Sequence, residues 1–275
     1  MTITLEQHNS TPSIQDIDGI NNWIMIFSNP LKRKKFPYQE QILKRFNKLA
    51  QKEKNGFPIV IDLPNKNLSH VSFAMLDSDF SSFDLLTLTR KLVSVHVSTN
   101  PKKVGLFVFG FSKKESERVA EALISAALAT SATMPVFKSK KQTTSLLERL
   151  ILFGFHARHG FKQSFATAEG NALTRSLSIL PPNKLTPSHY LEKIRQIAKE
   201  NKWKLDFYDE ANLRRKKAGA FLAVSQGSPK ADAGIVRLRY TPKRAAKSKK
   251  VFLVGKGICY DTGGTNLKPA NYMFG

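Results

Sequence analysis

The most constraining feature of the chain is a short run of buried-type residues that passes through a glycine into an amphipathic helix. Val104-Gly-Leu-Phe-Val-Phe109 is apolar on both parities, as a strand covered on both faces must be. After Gly110, the stretch Lys113 to Ala132 places Val119, Leu123, Ala126 and Ala127 on one helical face. Trp23 to Phe27 and Pro58 to Leu63 are further apolar runs rich in β-branched and aromatic residues. Between them Ile42, Leu43, Phe46 and Leu49 recur at helical spacing. Strand alternating with helix predicts an α/β layer fold. Phe137 to Gly154 reads as a connection, basic at Lys138, Lys140 and Lys141 and then apolar. A helix around Ala166 to Leu180 stops at Pro181-Pro182.

With 275 residues, the chain exceeds one domain of ordinary size. The expected division is an N-terminal α/β domain with a mixed sheet, residues 1–165, followed by residues 166–275. In the second part Thr186-Pro187 predicts a capped helix start with Leu191, Ile194 and Ala198 inward. Trp203 to Tyr208 and Gly234 to Tyr240 alternate like strands. A basic loop, Lys243 to Lys250, leads to Val251-Phe-Leu-Val254, a continuous apolar run expected at the centre of a largely parallel sheet.

That run opens into Gly255-Lys-Gly-Ile-Cys-Tyr-Asp-Thr-Gly-Gly-Thr-Asn-Leu-Lys-Pro269. A dinucleotide fingerprint fails because Tyr260 stands where a third glycine is needed. A Walker loop fails on its glycine spacing and on the residue after its lysine. The third reading is a strand-end site in which Lys256, Asp261 and Lys268 converge, at the carboxyl end of a strand, where open α/β sheets bind ligands. Taken singly, the first is a solvated turn lysine, the second a turn cap and the third a surface lysine before proline.

The stretch resembles the signature of the leucyl aminopeptidase (cytosol aminopeptidase) family, approximately Val-Gly-Lys-Gly-x-x-Phe-Asp-Ser-Gly-Gly-x-x-x-Lys-Pro. Ala172-x-x-Arg175-Ser-Leu177, Pro181-Pro-Asn-Lys-Leu-Thr-Pro187 and Gly219-Ala-Phe-Leu-Ala-Val-Ser-Gln-Gly-Ser228 resemble its upstream elements. The resemblance implies that residues 166–275 are the first part of an α/β metallopeptidase domain. It implies metal ligation by Lys256 and Asp261, and oxyanion stabilisation by Lys268. Two divalent ions, Mn2+ or Zn2+ (cobalt also suits such donors), would serve release of N-terminal residues from peptide substrates. It further implies a homohexamer. Tyr260 and Thr262 replace the commoner Phe and Ser, and Asn271 to Phe274 is bulkier than usual; these departures bear on substrate preference. The family's remaining ligands and its catalytic arginine come later in its order than residue 275. The 275-residue chain is therefore expected to be inactive and prone to aggregate.

Other features weigh less. His156 and His159 could form a ligand pair, but no acidic residue stands near them in sequence and Arg158 intervenes. The single cysteine, Cys259, excludes an intrachain disulfide, fits a cytoplasmic setting, and reads as a small hydrophobe. No segment reads as a secretory signal or a membrane span. Forty-four Lys and Arg against 21 Asp and Glu, a formal +23, raise nucleic acid as a partner. A DNA-binding, regulatory member of the family, or a non-catalytic interaction protein, is the alternative reading.

Overall fold

A computed structural model describes residues 3–31, 35–49, 58–77, 79–139, 146–242 and 250–273. The chain divides into two compact units, Met1–Ser178 and Ile179–Gly275.

The first unit is built on β1 (Thr4–His8), β2 (Asn22–Ser28), β3 (Ile59–Asp62), β4 (His70–Leu76), β5 (Lys103–Phe109) and β6 (Arg149–Phe153), in the order β1-β6-β5-β2-β4-β3. All neighbours are parallel except the edge pair β3 and β4, so the sheet is mixed as expected. Its central strand β2 has two differently filled faces. Ile24 and Ile26 join Leu106, Val108 and Leu152 in an aliphatic layer. This is closed by α3 (Ser82–Ser94) through Leu85 and Leu92, and by α4 (Lys113–Ser131) through Val119 and Leu123. Trp23, Met25 and Phe27 face an aromatic layer of Phe73, Phe107, Phe109 and Phe153, covered by Ile17 of α1 (Ile14–Asp18) and Ile42 of α2 (Gln39–Asn47). Phe27 stacks on Phe36 at 4.8 Å and meets Phe107 edge-on at 5.8 Å. Burial on both faces explains why β2 and β5 read as unbroken apolar runs.

Gly105 makes room for the Trp23 indole, whose ring a β-carbon would strike. The indole nitrogen donates to the carbonyls of Ile17 and Ile20 at 3.2 and 3.0 Å. Helix α4 starts where Ser112 and Glu115 close a reciprocal cap: the Ser112 N–H donates to Glu115 Oε2 at 2.9 Å, and the Glu115 N–H to Ser112 Oγ at 3.4 Å.

Two readings of the first unit need correction. The end of Phe137 to Gly154 is no connection but β6, inserted between β1 and β5 with Leu150 and Leu152 fully buried. Its four apolar residues are too few to show a period. Its other neighbour, β1, lies at the sheet edge in the polar start of the chain. The expected boundary at 165 falls inside the first turn of α5 (Lys162–Ser178). This helix packs on α4, with Phe165 and Ala168 against the aliphatic core and Arg175 Nη1 donating to the Ala129 carbonyl at 2.8 Å. The compact units therefore meet after it.

In the second unit α6 (Pro187–Glu200) begins at the Thr186 cap with Pro187 at its first position. Strands β7 (Lys204–Asp209) and β8 (Gly234–Arg239) pair antiparallel, and α7 (Glu210–Arg215) and α8 (Gly219–Ser225) lie between them in sequence. Val251 to Val254 is not a strand of any sheet among the described residues. Its side chains are 82, 82, 93 and 99% exposed. A parallel strand forms only beside a neighbour that supplies its ladder, and no described segment lies beside this one. The basic loop, apart from Lys250, lies outside the described residues, as do Lys140, Lys141 and Phe274.

Candidate active site

The loop after Val254 is shaped by its glycines. Gly263 sits at φ +88° and Gly264 at φ +63°, left-handed conformations that favour glycine. A β-carbon on Gly263 would also collide with the Asn266 carbonyl. The turn brings the Lys268 N–H to the Thr262 carbonyl at 2.8 Å. Lys268 thereby lies alongside Asp261, and its Nζ donates to Asp261 Oδ2 at 2.9 Å. The other carboxylate oxygen accepts the Gly263 N–H at 2.8 Å. The Lys268 hydrogen bond, the Gly263 N–H and the Lys268 charge, joined by the charge of Lys256, hold the Asp261 carboxyl below its ordinary range. Two of the three residues singled out from sequence thus touch, and the third acts on them electrostatically. All three stand in solvent-accessible positions, where such a pair stabilises little.

Behind this loop lies a residue that sequence reasoning missed. Asp232 Oδ2 accepts the Ser188 hydroxyl at 2.6 Å and the Ser188 N–H at 3.2 Å, at the start of α6. Its Oδ1 is buried with no hydrogen-bond partner among the described residues. Burial first, and then the charge of Asp232, pushes the Cys259 thiol up, away from the reactive thiolate and in line with the hydrophobe reading. The thiol is only partly buried. Gly257 lies against the Tyr190 ring, within contact distance of a β-carbon. Asp232 carries no local sequence signal, because its partners lie in other elements.

The two histidines meet different surroundings. His156 is exposed, whereas His159 Nε2 lies 2.7 Å from Glu117 Oε1 on α4. The acidic partner absent from the sequence neighbourhood is supplied by the fold. Among the described residues no group of three or more His, Cys, Asp or Glu side chains could hold a metal.

Residues 172–275 match the model of the cytosol aminopeptidase family, catalytic domain. The chain is 44% identical over 139 residues to a probable cytosol aminopeptidase of Stutzerimonas stutzeri, covering 48% of this chain and 28% of that protein. It is 42% identical over 139 residues to the cytosol aminopeptidase of Pseudomonas aeruginosa, with the same coverage. In structure it is similar to the apo leucyl aminopeptidase of Trypanosoma cruzi, with a TM-score of 0.72 at 20% identity over 98% of this chain and 55% of that one. It is also similar to the bottromycin maturation enzyme BotP in complex with Mn, with a TM-score of 0.68 at 20% identity over 91% of this chain and 51% of that one. At that identity these two likenesses concern the fold. The likeness to the cytosol aminopeptidase family is carried by residues 172–275. The chain spans 28% of the length of these curated relatives. No described helix is long and apolar enough to cross a membrane.

Proposed function

We propose that this sequence carries part of the active site of a metal-dependent aminopeptidase that releases N-terminal residues from peptides. The observation that carries the reading is the Lys256, Asp261 and Lys268 arrangement on one glycine-turned loop, inside the segment that matches the catalytic domain. Lys256 would ligate through a neutral amine and Asp261 through its carboxylate. These two donors suit part of a coordination shell, and a zinc-type site needs about four ligands per ion. When bound, a pair of Mn2+ or Zn2+ ions would supply Lewis acidity and hold the peptide's free amine. Manganese draws support from the BotP complex. Lys268 would stabilise the oxyanion that develops on the scissile carbonyl. In the arrangement seen, its ammonium is occupied by Asp261 Oδ2, so ligation of Asp261 to a cation would free Lys268 for substrate.

The partners of this reading are peptide substrates, in a homohexamer and a cytoplasmic setting, both drawn from the family and its cytosolic relatives. The formal +23 charge favours nucleic acid as a second partner. With one carboxylate and one amine at the site, the 275-residue chain by itself is read as inactive.

The test is release of leucine from leucine amide, by this chain and by whatever longer polypeptide its reading frame encodes. The expected result is activity in the longer product that chelator abolishes and Mn2+ or Zn2+ restores. Activity that resists chelator, or none with any of zinc, manganese and cobalt, overturns the reading.

A further inference from the structure

We propose that Asp232, which lies outside the signature loop, is a positioning residue for it. Its carboxylate ties the start of α6 to the lead into β8, and Gly257 and Cys259 seat on that joint. The proposal rests on the aminopeptidase reading, because it assigns the joint the task of holding Lys256 and Asp261 in place. Asp232 stands two residues before β8. Its Oδ2 accepts both the hydroxyl and the N–H of Ser188, at 2.6 and 3.2 Å. Ser188 is the second residue of the 14-residue α6, so the carboxylate also meets the positive end of the helix dipole. The same turn carries Tyr190, whose N–H donates to the Thr186 carbonyl at 2.9 Å. A Tyr190 ring carbon lies 3.4 Å from where a β-carbon on Gly257 would stand, so the loop backbone runs close over this turn.

Burial shows where the loop is anchored. From Val251 to Asp261 every residue is exposed except Cys259, which is half-buried. Asp232 is likewise half-buried, directly after the exposed run Gln226 to Ala231. The two side chains are near enough for the Asp232 charge to act on the thiol. Lys256 and Asp261 stand on either side of this anchor. Among the described residues, the side-chain hydrogen bonds of Asp261 stay within the loop, to Gly263 and Lys268, so its placement depends on where the backbone is seated. Asp232 Oδ1 is buried with no hydrogen-bond partner among the described residues. A buried acceptor without a donor is destabilising, so stability alone does not account for a carboxylate here; placement of the loop does.

The test is hydrogen–deuterium exchange of the 275-residue chain, read by mass spectrometry at residues 255–268. Ser188→Ala and Asp232→Ala should each speed exchange there about tenfold, the scale of a hydrogen bond to a charged group. The double variant should do no more than either single one, since both remove one contact. Ser188→Thr keeps the hydroxyl and should exchange as the wild type does. Unchanged exchange at 255–268 overturns the proposal, as do additive effects in the double variant. Equal acceleration across β7 overturns it too, by making Asp232 a tie for the whole unit. In the longer, active polypeptide Ser188→Ala should lower kcat about tenfold with KM little changed, and Ser188→Thr should restore it, because misplaced catalytic groups cost rate. Faster loop exchange with wild-type kcat would make the joint structural only and sink the proposal. Exchange is read without metal or substrate, so failure of the aminopeptidase reading shows separately, as no chelator-sensitive release of leucine by the wild type.

Discussion

Two side chains concentrate the electrostatic consequences of this fold, one exposed and one buried. Lys268 holds Asp261 at 2.9 Å. In Lys268→Ala the Asp261 carboxyl, released from its main stabilising contact, should titrate closer to the ordinary range in a carbon-detected NMR pH series. In the active polypeptide the same change should lower turnover by about 10²–10³, with metal content unchanged. Wild-type turnover would leave Lys268 a surface lysine. His96 is the buried case, only 3% exposed. Asn22 Oδ1 and Ser72 Oγ flank its two ring nitrogens, each at 2.9 Å, and His70 lies edge-on at 5.3 Å. Burial, then the charge of His70, lowers its pKa to about 4. The unfolded chain binds a proton near pH 6.5 that the folded chain refuses until about pH 4. Stability is thus fully present above pH 6.5 and declines as pH falls toward 4, by up to about 3 kcal/mol. Urea unfolding followed through buried Trp23 should show this decline, and His96→Gln should flatten it relative to wild type.

At the scale of elements, two glycines with opposite surroundings make a paired test. Gly105 of β5 leaves space that the Trp23 ring fills, so Gly105→Ala overpacks the sheet and should cost about 1–3 kcal/mol. Gly170, inside α5, has open space where a β-carbon would go. Gly170→Ala should therefore stabilise the same unit by up to about 1 kcal/mol through helix propensity. Equal midpoints in urea for the two variants would contradict the packing assigned to Trp23. In the signature loop, Gly263→Ala meets both a left-handed backbone and the Asn266 carbonyl. It should separate Lys268 from Asp261 and reproduce the Asp261 titration of Lys268→Ala.

Over the whole chain, burial is unequally shared. Among the described residues, the largest fully buried side chains, including Trp23, Phe27, Phe73, Phe107 and Phe161, all belong to the first unit, whereas the buried hydrophobic residues of the second are Ala198 and Leu213. The exposed Val251 to Val254 run, beside Ile258 and Tyr260 at 48 and 57% exposure, presents unpaired backbone suited to intermolecular pairing. Limited proteolysis should leave a resistant fragment ending shortly after Ser178, with the remainder digested first and the intact chain aggregating as its concentration rises. Mass spectrometry of the fragment would check the end point, and early cleavage inside β2 or β5 would contradict it.

Periodicity and local chemistry were enough to place β2, β5, α2, α4 and the Thr186 cap. In each the determining contacts lie within a few residues, or the element is buried on both faces and shows as an unbroken apolar run. The features that only the tertiary structure decided depend on partners far away in the chain. Strand β6 has four apolar residues, and its burial comes from β1 and β5 on either side. Helix α5 joins the first unit because α4 offers it a face, although its residues from Ala172 onward match the catalytic-domain model. His159 finds Glu117, and Asp232 finds Ser188, across more than forty residues of chain. Val251 to Val254 has the composition of a central strand but lacks a neighbour among the described residues. A strand is a property of a pair, and apolar sequence alone cannot supply the other half of the ladder.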